Sequence, residues 1–216
     1  WYLDQAAGLP ERTEPLPPVP STFQARARNT MRNGLSSALM RPYFPYYRTH
    51  RPHSFVLESA AWCWKLLMGQ REAERSAATW EAVKDQPYFT LPLQLNSDYQ
   101  IRVHSPFGDM RAALRFVIKS FAEHAPQGVA LLVKRHPLDP GRVSWERLTR
   151  RLAAHYGVAE RVHYLSDWDI AEVVQKSLGV VTVNSTVGTL ALNSAKPVVV
   201  LGHAVYQVPG IVHHTS

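Results

Sequence analysis

The stretch that most constrains the fold is residues 179–202, with the sequence GVVTVNSTVGTLALNSAKPVVVLG. Residues 179–183 form a short apolar, β-branched run that is typical of a buried strand. Asn184-Ser185-Thr186 then turns the chain, residues 187–194 have the pattern of a helix, and residues 196–201 form a second buried strand. Small hydroxyl residues between a strand and a helix indicate an anion site, although Ser185 or Thr186 can equally be a simple helix cap.

The same alternation of strands and helices extends over residues 87–216. The predicted strands are residues 89–95, 129–133, 161–165, 179–183 and 196–201, and the predicted helices are 109–124, 144–156, 167–177 and 187–194. Asp109, Ser144 and Asp167 are the expected N-caps of the first three helices. Pro92 favours an edge position or a bulge for the first strand, and residues 96–106 are expected to form a polar loop. The pattern predicts an α/β fold with a doubly wound, mostly parallel, Rossmann-like sheet.

Residues 1–86 are predicted to be a linker and a helical connector rather than part of the sheet. Residues 1–20 are rich in proline, which is typical of an extended linker. Residues 21–51 alternate arginines with aromatic residues, a pattern that suits stacking on nucleic-acid bases, an anionic membrane surface or a solvated connector. Residues 58–68 and 71–83 are expected to be two helices. Their expected core anchors are Trp62, Trp64 and Trp80.

The composition describes a globular, basic chain. Its 216 residues carry a formal charge of +7 and a pI near 9.7, which favours anionic partners. The single cysteine, Cys63, excludes an internal disulfide framework and fits a reducing compartment. No apolar run is long enough to predict a membrane-spanning helix. Because Trp1 is not an initiator and the last residues lead into no further element, we expect both ends to belong to a longer protein.

Polar residues follow three of the predicted strands. Lys134 and His136-Pro137 follow the strand at 129–133, and Asn184, Ser185, Thr186 and Gly188 follow the strand at 179–183. Arg102, His104 and Ser105 come between the first strand and its helix. Each residue alone is more often structural. Because ligands of such sheets bind beyond the carboxyl ends of the strands, their convergence predicts a site for a phosphate-bearing ligand.

Several other chemistries lack sequence support. The chain contains neither a glycine-rich dinucleotide fingerprint nor a Walker loop. Its ten histidines do not fall at a metal-binding spacing, so we expect no metal. Ser185 lacks the first glycine of a nucleophile elbow, so it fits a phosphate ligand better than a nucleophile.

Four segments resemble the capsule polysaccharide synthesis family, in particular the KpsS/LipB type of Gram-negative bacteria. They are residues 100–107 (QIRVHSPF), 134–139 (KRHPLD), 179–188 (GVVTVNSTVG) and 202–210 (GHAVYQVPG). The likeness covers roughly residues 87–212, whereas residues 1–86 match only loosely.

The resemblance implies a GT-B glycosyltransferase that transfers Kdo (3-deoxy-manno-octulosonic acid) from CMP-Kdo to an anionic lysophospholipid acceptor. It also implies that the protein acts at the cytoplasmic face of the inner membrane, as a peripheral membrane protein together with other capsule assembly and export proteins. His136-Pro137 and Ser185-Thr186 match the family residues that contact CMP. CMP-Kdo is then a substrate, and neither a cofactor nor nucleic acid is implied.

The resemblance also implies that this chain is the donor-binding half of the enzyme, cut short at its carboxyl end. The acceptor site and a catalytic carboxylate would lie in an amino-terminal half, so the catalytic residues are unknown and this half alone is expected to transfer no Kdo. Two alternatives stay open. One is a non-catalytic nucleic-acid or membrane-binding module built on residues 21–51, and the other is a GT-B transferase that uses a UDP-sugar.

Overall fold

The computed structural model describes residues 23–40, 42–44, 46, 55–96, 98–139, 141, 143–208 and 210–214. The chain forms two compact units, residues 1–52 and residues 53–216. The first unit contains helix α1, Phe23–Met40. The linker predicted at residues 1–20 lies outside the described residues.

The second unit contains a six-stranded sheet and its helices. In chain order its elements are α2 (Phe55–Val83), β1 (Tyr88–Pro92), α3 (Tyr99–Val103), α4 (Met110–His124), β2 (Ala130–Lys134), α5 (Trp145–His155), β3 (Val162–Leu165), α6 (Ile170–Lys176), β4 (Gly179–Thr182), α7 (Val187–Asn193), β5 (Val198–Val200) and β6 (His213–His214). A single 3₁₀ turn, Ala159–Arg161, precedes β3. The strand order is β3-β2-β1-β4-β5-β6, and every neighbouring pair is parallel. The predicted doubly wound parallel sheet is confirmed.

Helices cover both faces of the sheet because successive residues of its strands point to opposite sides. On β2, Leu131 and Val133 pack in one core cluster with residues of α4 and α5, among them Leu114 and Trp145. Leu132 belongs to a second cluster with Trp80 and Val83 of α2 and Val173 of α6. Helix α4 buries the apolar side of its surface, and its predicted cap is confirmed because the Asp109 side chain accepts the Ala112 N–H at 2.8 Å.

The prediction that Pro92 marks an edge strand or a bulge is wrong. β1 lies in the interior of the sheet, between β2 and β4. Pro92 is its last residue, opposite Lys134 of β2, whereas only Phe89 and Thr90 pair with β4. The missing N–H of proline therefore falls beyond the last pairing with β4, where it costs no bond of that ladder.

Some helix boundaries also differ from those predicted. The two helices expected at 58–68 and 71–83 are one helix, α2, which continues through Gly69 because a helix tolerates one glycine at a cost of about 1 kcal/mol. Asp169, not Asp167, caps α6 by accepting the Ala171 N–H at 3.0 Å. Ser144 precedes α5 without a capping bond from its side chain.

Two segments predicted to be irregular contain structure. The loop expected at residues 96–106 includes the short helix α3. The chain after residue 209 adds a sixth strand, because His213 pairs with Val199 of β5. Neither element has an apolar pattern long enough to be predicted from the sequence.

Helix α2 belongs to the α/β unit, although the sequence suggested a connector up to residue 86. Trp80 and Val83 are 2% and 0% exposed and pack beneath the sheet. The ring of Trp80 also contacts those of Tyr88 and Trp168, with centroids 6.3 and 5.5 Å apart. The side chains of Trp62 and Trp64, the other expected anchors, lie outside the described residues.

Val83→Ala tests whether α2 is an integral part of this unit. We expect the free energy of unfolding to fall by about 2 kcal/mol, since the change removes two buried methyl groups worth roughly 0.8 kcal/mol each and leaves a small cavity. Urea denaturation monitored by circular dichroism measures the change. The same substitution at the fully exposed Val205 is the control and should change stability little. Equal effects at the two positions would contradict the packing of α2 on the sheet.

Candidate functional site

The sheet grows in opposite directions from β1 and β4. The chain proceeds from β1 outward to β2 and β3, and then returns to β4 and continues to β5 and β6. β1 shares five residue pairs with β2 but only two with β4. The loops at the carboxyl ends of β1 and β4 therefore lead to opposite faces, which is the topology at which sheets of this kind form a binding crevice.

Gln94 and Asn184 join the two sides of this crevice. The Gln94 Nε2 donates to Asn184 Oδ1 at 2.9 Å, and the Asn184 backbone N–H donates to Gln94 Oε1 at 3.2 Å. Gln94 is only 5% exposed. The pair continues the contact between the two strands beyond the end of their backbone ladder.

The backbone of His104 connects this pair to the chain after β5. Its carbonyl accepts hydrogen bonds from Asn184 Nδ2 at 3.3 Å and from the His203 N–H at 3.0 Å. Gly202 lies so close that an added Cβ would be 3.0 Å from the same carbonyl oxygen. The loops after β1, β4 and β5 thus meet at one point, which brings together the predicted residues His104, Asn184 and Ser185.

The turn from β4 into α7 is held by several short-range hydrogen bonds. The Ser185 N–H donates to Thr182 Oγ1 at 3.1 Å, and Ser185 Oγ accepts the Val187 N–H at 3.2 Å. Thr186 occupies the cap position without a capping bond from its side chain and is exposed. Ser185 therefore acts in part as a helix cap, since its hydroxyl accepts one N–H of the first turn.

Tyr206 covers the start of α7. Its hydroxyl donates to the Ser185 carbonyl at 2.5 Å, and its ring lies against Gly188, where a Cβ would come within 2.1 Å of the phenolic oxygen. Burial raises the pKa of Tyr206 to about 12, although a hydrogen bond with Thr182 acts in the opposite direction. Gly188 is therefore needed for close approach rather than for backbone freedom.

The predicted residues after β2 differ in their surroundings. Lys134 is 4% exposed, and its ammonium group donates to the carbonyls of Arg135 and Ser166 at 3.2 and 3.3 Å. His136 is half-buried, and its Nδ1 accepts the Leu138 N–H at 3.1 Å. A neutral imidazole that accepts at Nδ1 carries its proton on Nε2. Because Lys134 pairs with Pro92, the carboxyl ends of β1 and β2 lie side by side at this edge of the sheet, and His136 follows two residues after the end of β2.

Of the three predicted residues before α4, two are exposed to solvent and one forms hydrogen bonds within its own turn. Arg102 is exposed in the last turn of α3, and the exposed ring of His104 packs edge-on against Tyr99 at 5.6 Å. The Ser105 hydroxyl donates to the Ile101 carbonyl at 2.5 Å and accepts the Phe107 N–H at 3.3 Å. Ser105 therefore stabilises the turn in which it lies. Donor binding by these three residues, as by those after β2 and β4, stays a prediction.

Sequence reasoning missed Gln94, Thr182 and Tyr206. Gln94 stood between Leu93 and Leu95 in a predicted strand, and a polar residue in such an alternation signals only an outward-facing position. Tyr206 lies in a segment without periodicity, and its contact with Gly188 depends on the folded loop. Within the described ranges, no three His, Cys, Asp or Glu side chains come together as a possible metal site. No helix in the described part of the chain is both long and apolar enough to cross a membrane.

The fold and the site define a Rossmann-like α/β protein with a polar crevice at the carboxyl edge of its sheet. The chain belongs to the capsule polysaccharide biosynthesis protein family, whose sequence profile matches residues 1–216. It is 34% identical over 173 residues to the capsule polysaccharide export protein KpsS of Escherichia coli, covering 79% of this chain and 44% of that protein. It is 33% identical over 216 residues to the capsule polysaccharide modification protein LipB of Neisseria meningitidis serogroup A, covering 98% of this chain and 52% of that protein. The chain thus spans about half the length of these relatives.

Solved structures give weaker likenesses. The β-Kdo 2,7 transferase of Thermosulfurimonas dismutans KpsC matches with a TM-score of 0.47 and 20% identity, over 69% of this chain and 46% of that one. The Escherichia coli heptosyltransferase WaaC with ADP matches with a TM-score of 0.37 and 18% identity, over 56% of this chain and 35% of that one.

Gly188→Ala tests the close contact with Tyr206. The added methyl group would displace the phenol, so we expect a loss of about 1–3 kcal/mol in the free energy of unfolding and a Tyr206 pKa shifted back toward its ordinary value near 10. Denaturation and ultraviolet titration of the tyrosines, with Tyr206→Phe to assign the signal, measure both. Gly69→Ala, at a helical glycine with no atom within 4 Å of the new Cβ, is the control and should stabilise α2 slightly. A loss at Gly188 that persists unchanged in a Tyr206→Ala background would show that Tyr206 is not the obstacle.

Proposed function

We propose that this chain is the donor-binding half of a GT-B glycosyltransferase of capsule polysaccharide synthesis, with CMP-Kdo as its donor. The observation that carries the proposal is the polar crevice between β1 and β4, where the loops after β1, β4 and β5 meet around Gln94, Asn184 and the His104 carbonyl. Parallel α/β sheets bind their ligands at such a position. Membership in the capsule family supports a saccharide pathway, and the GT-B half and the identity of the donor are our proposals.

In this proposal the donor phosphate lies between His136 and the turn at Ser185. In this assignment His136 donates to a phosphate oxygen through Nε2, and the Ser185 hydroxyl, whose oxygen accepts the Val187 N–H, donates its own proton to the phosphate. The phosphate of a CMP-sugar carries little charge, so neutral donors of this kind can hold it without a lysine clamp. Lys134 acts indirectly, because its buried ammonium holds the carbonyls of Arg135 and Ser166 and so fixes the loop that carries His136.

Transfer of Kdo would also need the other half of the GT-B enzyme, which forms the opposite wall of the cleft between the two halves. In this assignment, this chain binds and orients the donor, while the acceptor site and the catalytic carboxylate belong to an amino-terminal half. Holding donor and acceptor in register contributes several kcal/mol to such reactions. The acceptor would be an anionic lysophospholipid, and other capsule assembly and export proteins would be the partners. A UDP-sugar in place of CMP-Kdo is the alternative donor.

Single substitutions in the intact protein test the donor site. We expect His136→Ala and Ser185→Ala each to weaken CMP binding about tenfold or more, because a hydrogen bond to a charged phosphate contributes roughly 1.5–3 kcal/mol. Titration calorimetry with CMP and UMP measures both affinity and base choice, and CMP should bind better. His155→Ala, an exposed histidine of α5, is the matched control and should have no effect. Unchanged CMP affinity in both variants would refute the site, and a preference for uridine nucleotides would favour the UDP-sugar donor.

We also propose that the first unit binds the surface of an anionic membrane. On α1, Met31, Leu35 and Leu39 are 40%, 57% and 64% exposed at a spacing of four residues, which places them on one side of the helix. Tyr43, Phe44 and Tyr46 are exposed just after the helix. No aspartate or glutamate occurs between Glu14 and Glu58, whereas the same interval contains six arginines. An apolar helix side with aromatic and cationic neighbours suits peripheral attachment to the inner membrane.

A flotation assay tests the membrane surface. The intact protein should float with vesicles that contain phosphatidylglycerol at low salt and be released at high salt, because each arginine near an anionic surface contributes about 1 kcal/mol that salt screens. The double substitution Leu35→Asp and Leu39→Asp should abolish flotation. Leu178→Asp, at an exposed leucine of the second unit, is the control and should not. Failure to float, or salt-sensitive binding to DNA or RNA instead, would favour the non-catalytic nucleic-acid module.

A further inference from the structure

A second cavity lies at the open edge of the sheet. It has a volume of about 790 Å³ and lies between α2, α5 and the edge strand β3. None of its lining residues comes from β1, β4 or β5, or from the loops that follow them. It adjoins the crevice proposed for the nucleotide only through the loop after β2, whose Arg135 lines the cavity and whose His136 is assigned to the crevice. An inference about the cavity does not depend on that proposal.

Two buried polar atoms beside this cavity lack hydrogen-bond partners. They are Nε of Arg135 and Oγ1 of Thr149, in side chains whose residues are 7% and 1% exposed and line the cavity. A buried polar group without a partner destabilises the folded protein. Thr149 lies within α5, and because helical threonine has two accessible rotamers, its hydroxyl can turn toward a ligand. Because neither atom has exposed surface, an occupant with hydrogen-bond donors and acceptors would satisfy Thr149 Oγ1 after the hydroxyl turns, and Arg135 Nε after the guanidinium shifts.

The charges around the cavity are balanced. Three arginines and three glutamates line it: Arg75, Arg135, Arg150, Glu72, Glu146 and Glu160. Both oxygens of the Glu72 carboxylate accept from the Arg135 guanidinium, at 2.5 and 3.3 Å, and Glu146 pairs with Arg150 at 2.7 Å. A nucleoside diphosphate or a polyphosphate needs a net positive site, which this lining does not supply.

Hydroxyl groups dominate the remaining polar lining. Ser76, Thr79, Ser144, Thr149, Tyr164 and Ser166 all contribute to it. Hydroxyls both donate and accept, and paired arginines and carboxylates offer donors and acceptors side by side. Such a lining matches a ligand that itself carries many hydroxyl groups. The volume lies within the 300–1,000 Å³ usual for small-molecule sites.

We propose that the cavity between α2, α5 and β3 is a saccharide-binding site, separate from the nucleotide crevice, for a neutral or singly charged sugar of one or two residues. Thr149 and Arg135 supply the hydrogen-bonding groups at its wall, Tyr164 adds a phenol hydroxyl, and the two arginine–glutamate pairs fix the positions of the charged groups. A second sugar site on the donor-binding unit would let this protein hold a glycan while the crevice holds a nucleotide.

Saturation-transfer difference NMR on the intact chain tests the proposal, with N-acetylglucosamine, N-acetylneuraminic acid and lactose as probes. At least one sugar should receive saturation at millimolar concentration, and CMP should not displace it. Thr149→Val and Tyr164→Phe should each weaken its binding about fivefold or more. Thr149→Val should also leave the melting temperature unchanged or higher, because it removes a buried hydroxyl that has no partner. Thr189→Val, at an exposed helical threonine, is the matched control and should bind the sugar normally.

The opposite results would overturn the proposal. These are no saturation transfer to any of the three sugars at tens of millimolar, sugar binding unaffected by both cavity variants, or binding of inorganic phosphate at the cavity with none of the sugars. None of these results concerns CMP affinity. The sugar site can therefore be refuted without refuting the nucleotide crevice, and loss of CMP binding would not refute the sugar site.

Discussion

The short pairing between β1 and β4 is the constraint on which the site depends. These strands pair through only two residues each, and beyond Thr90 the contact passes to the side chains of Gln94 and Asn184. Because the sheet grows outward from this pair in both directions, every loop that follows a central strand opens toward the same crevice. The Gln94–Asn184 bridge places polar side chains at the point where the backbone pairing of β1 and β4 ends.

Buried charge supports the edge of the sheet around this crevice. Lys134 and Arg135 are both almost fully buried, and each has specific partners: main-chain carbonyls for the ammonium and Glu72 for the guanidinium. A buried charge without such partners would be strongly destabilising. The ion pair joins α2 to the end of β2, so the long helix before the sheet also helps to position the loop that carries His136. In the segment Lys134-Arg135-His136, the first two residues thus have structural roles.

The sequence predicted the sheet better than its details, for physical reasons. The runs at β2 and β4 are apolar and β-branched, so their burial follows from composition alone, and Asp109 could be identified as a cap from its immediate neighbours. The edge or bulge predicted from Pro92 was wrong because proline removes only one backbone hydrogen bond. Whether the sheet needs that bond depends on the neighbouring strand. The positions of His136 and Ser185 at the carboxyl edge followed from chain order. Gln94, Glu72 and Tyr206 could not be found this way, since their partners lie far along the chain and meet them only in the folded protein.

The proposed function requires a cytidine nucleotide to bind at the crevice between β1 and β4. Backbone amide shifts of the ¹⁵N-labelled chain, recorded during titration with CMP, test it most directly. We expect the largest shifts on Gln94, His104, Asn184 and Ser185 and on the loop that carries His136, with β3 and α5 unchanged. Shifts concentrated at the cavity beside β3, or spread over α1 alone, would contradict it.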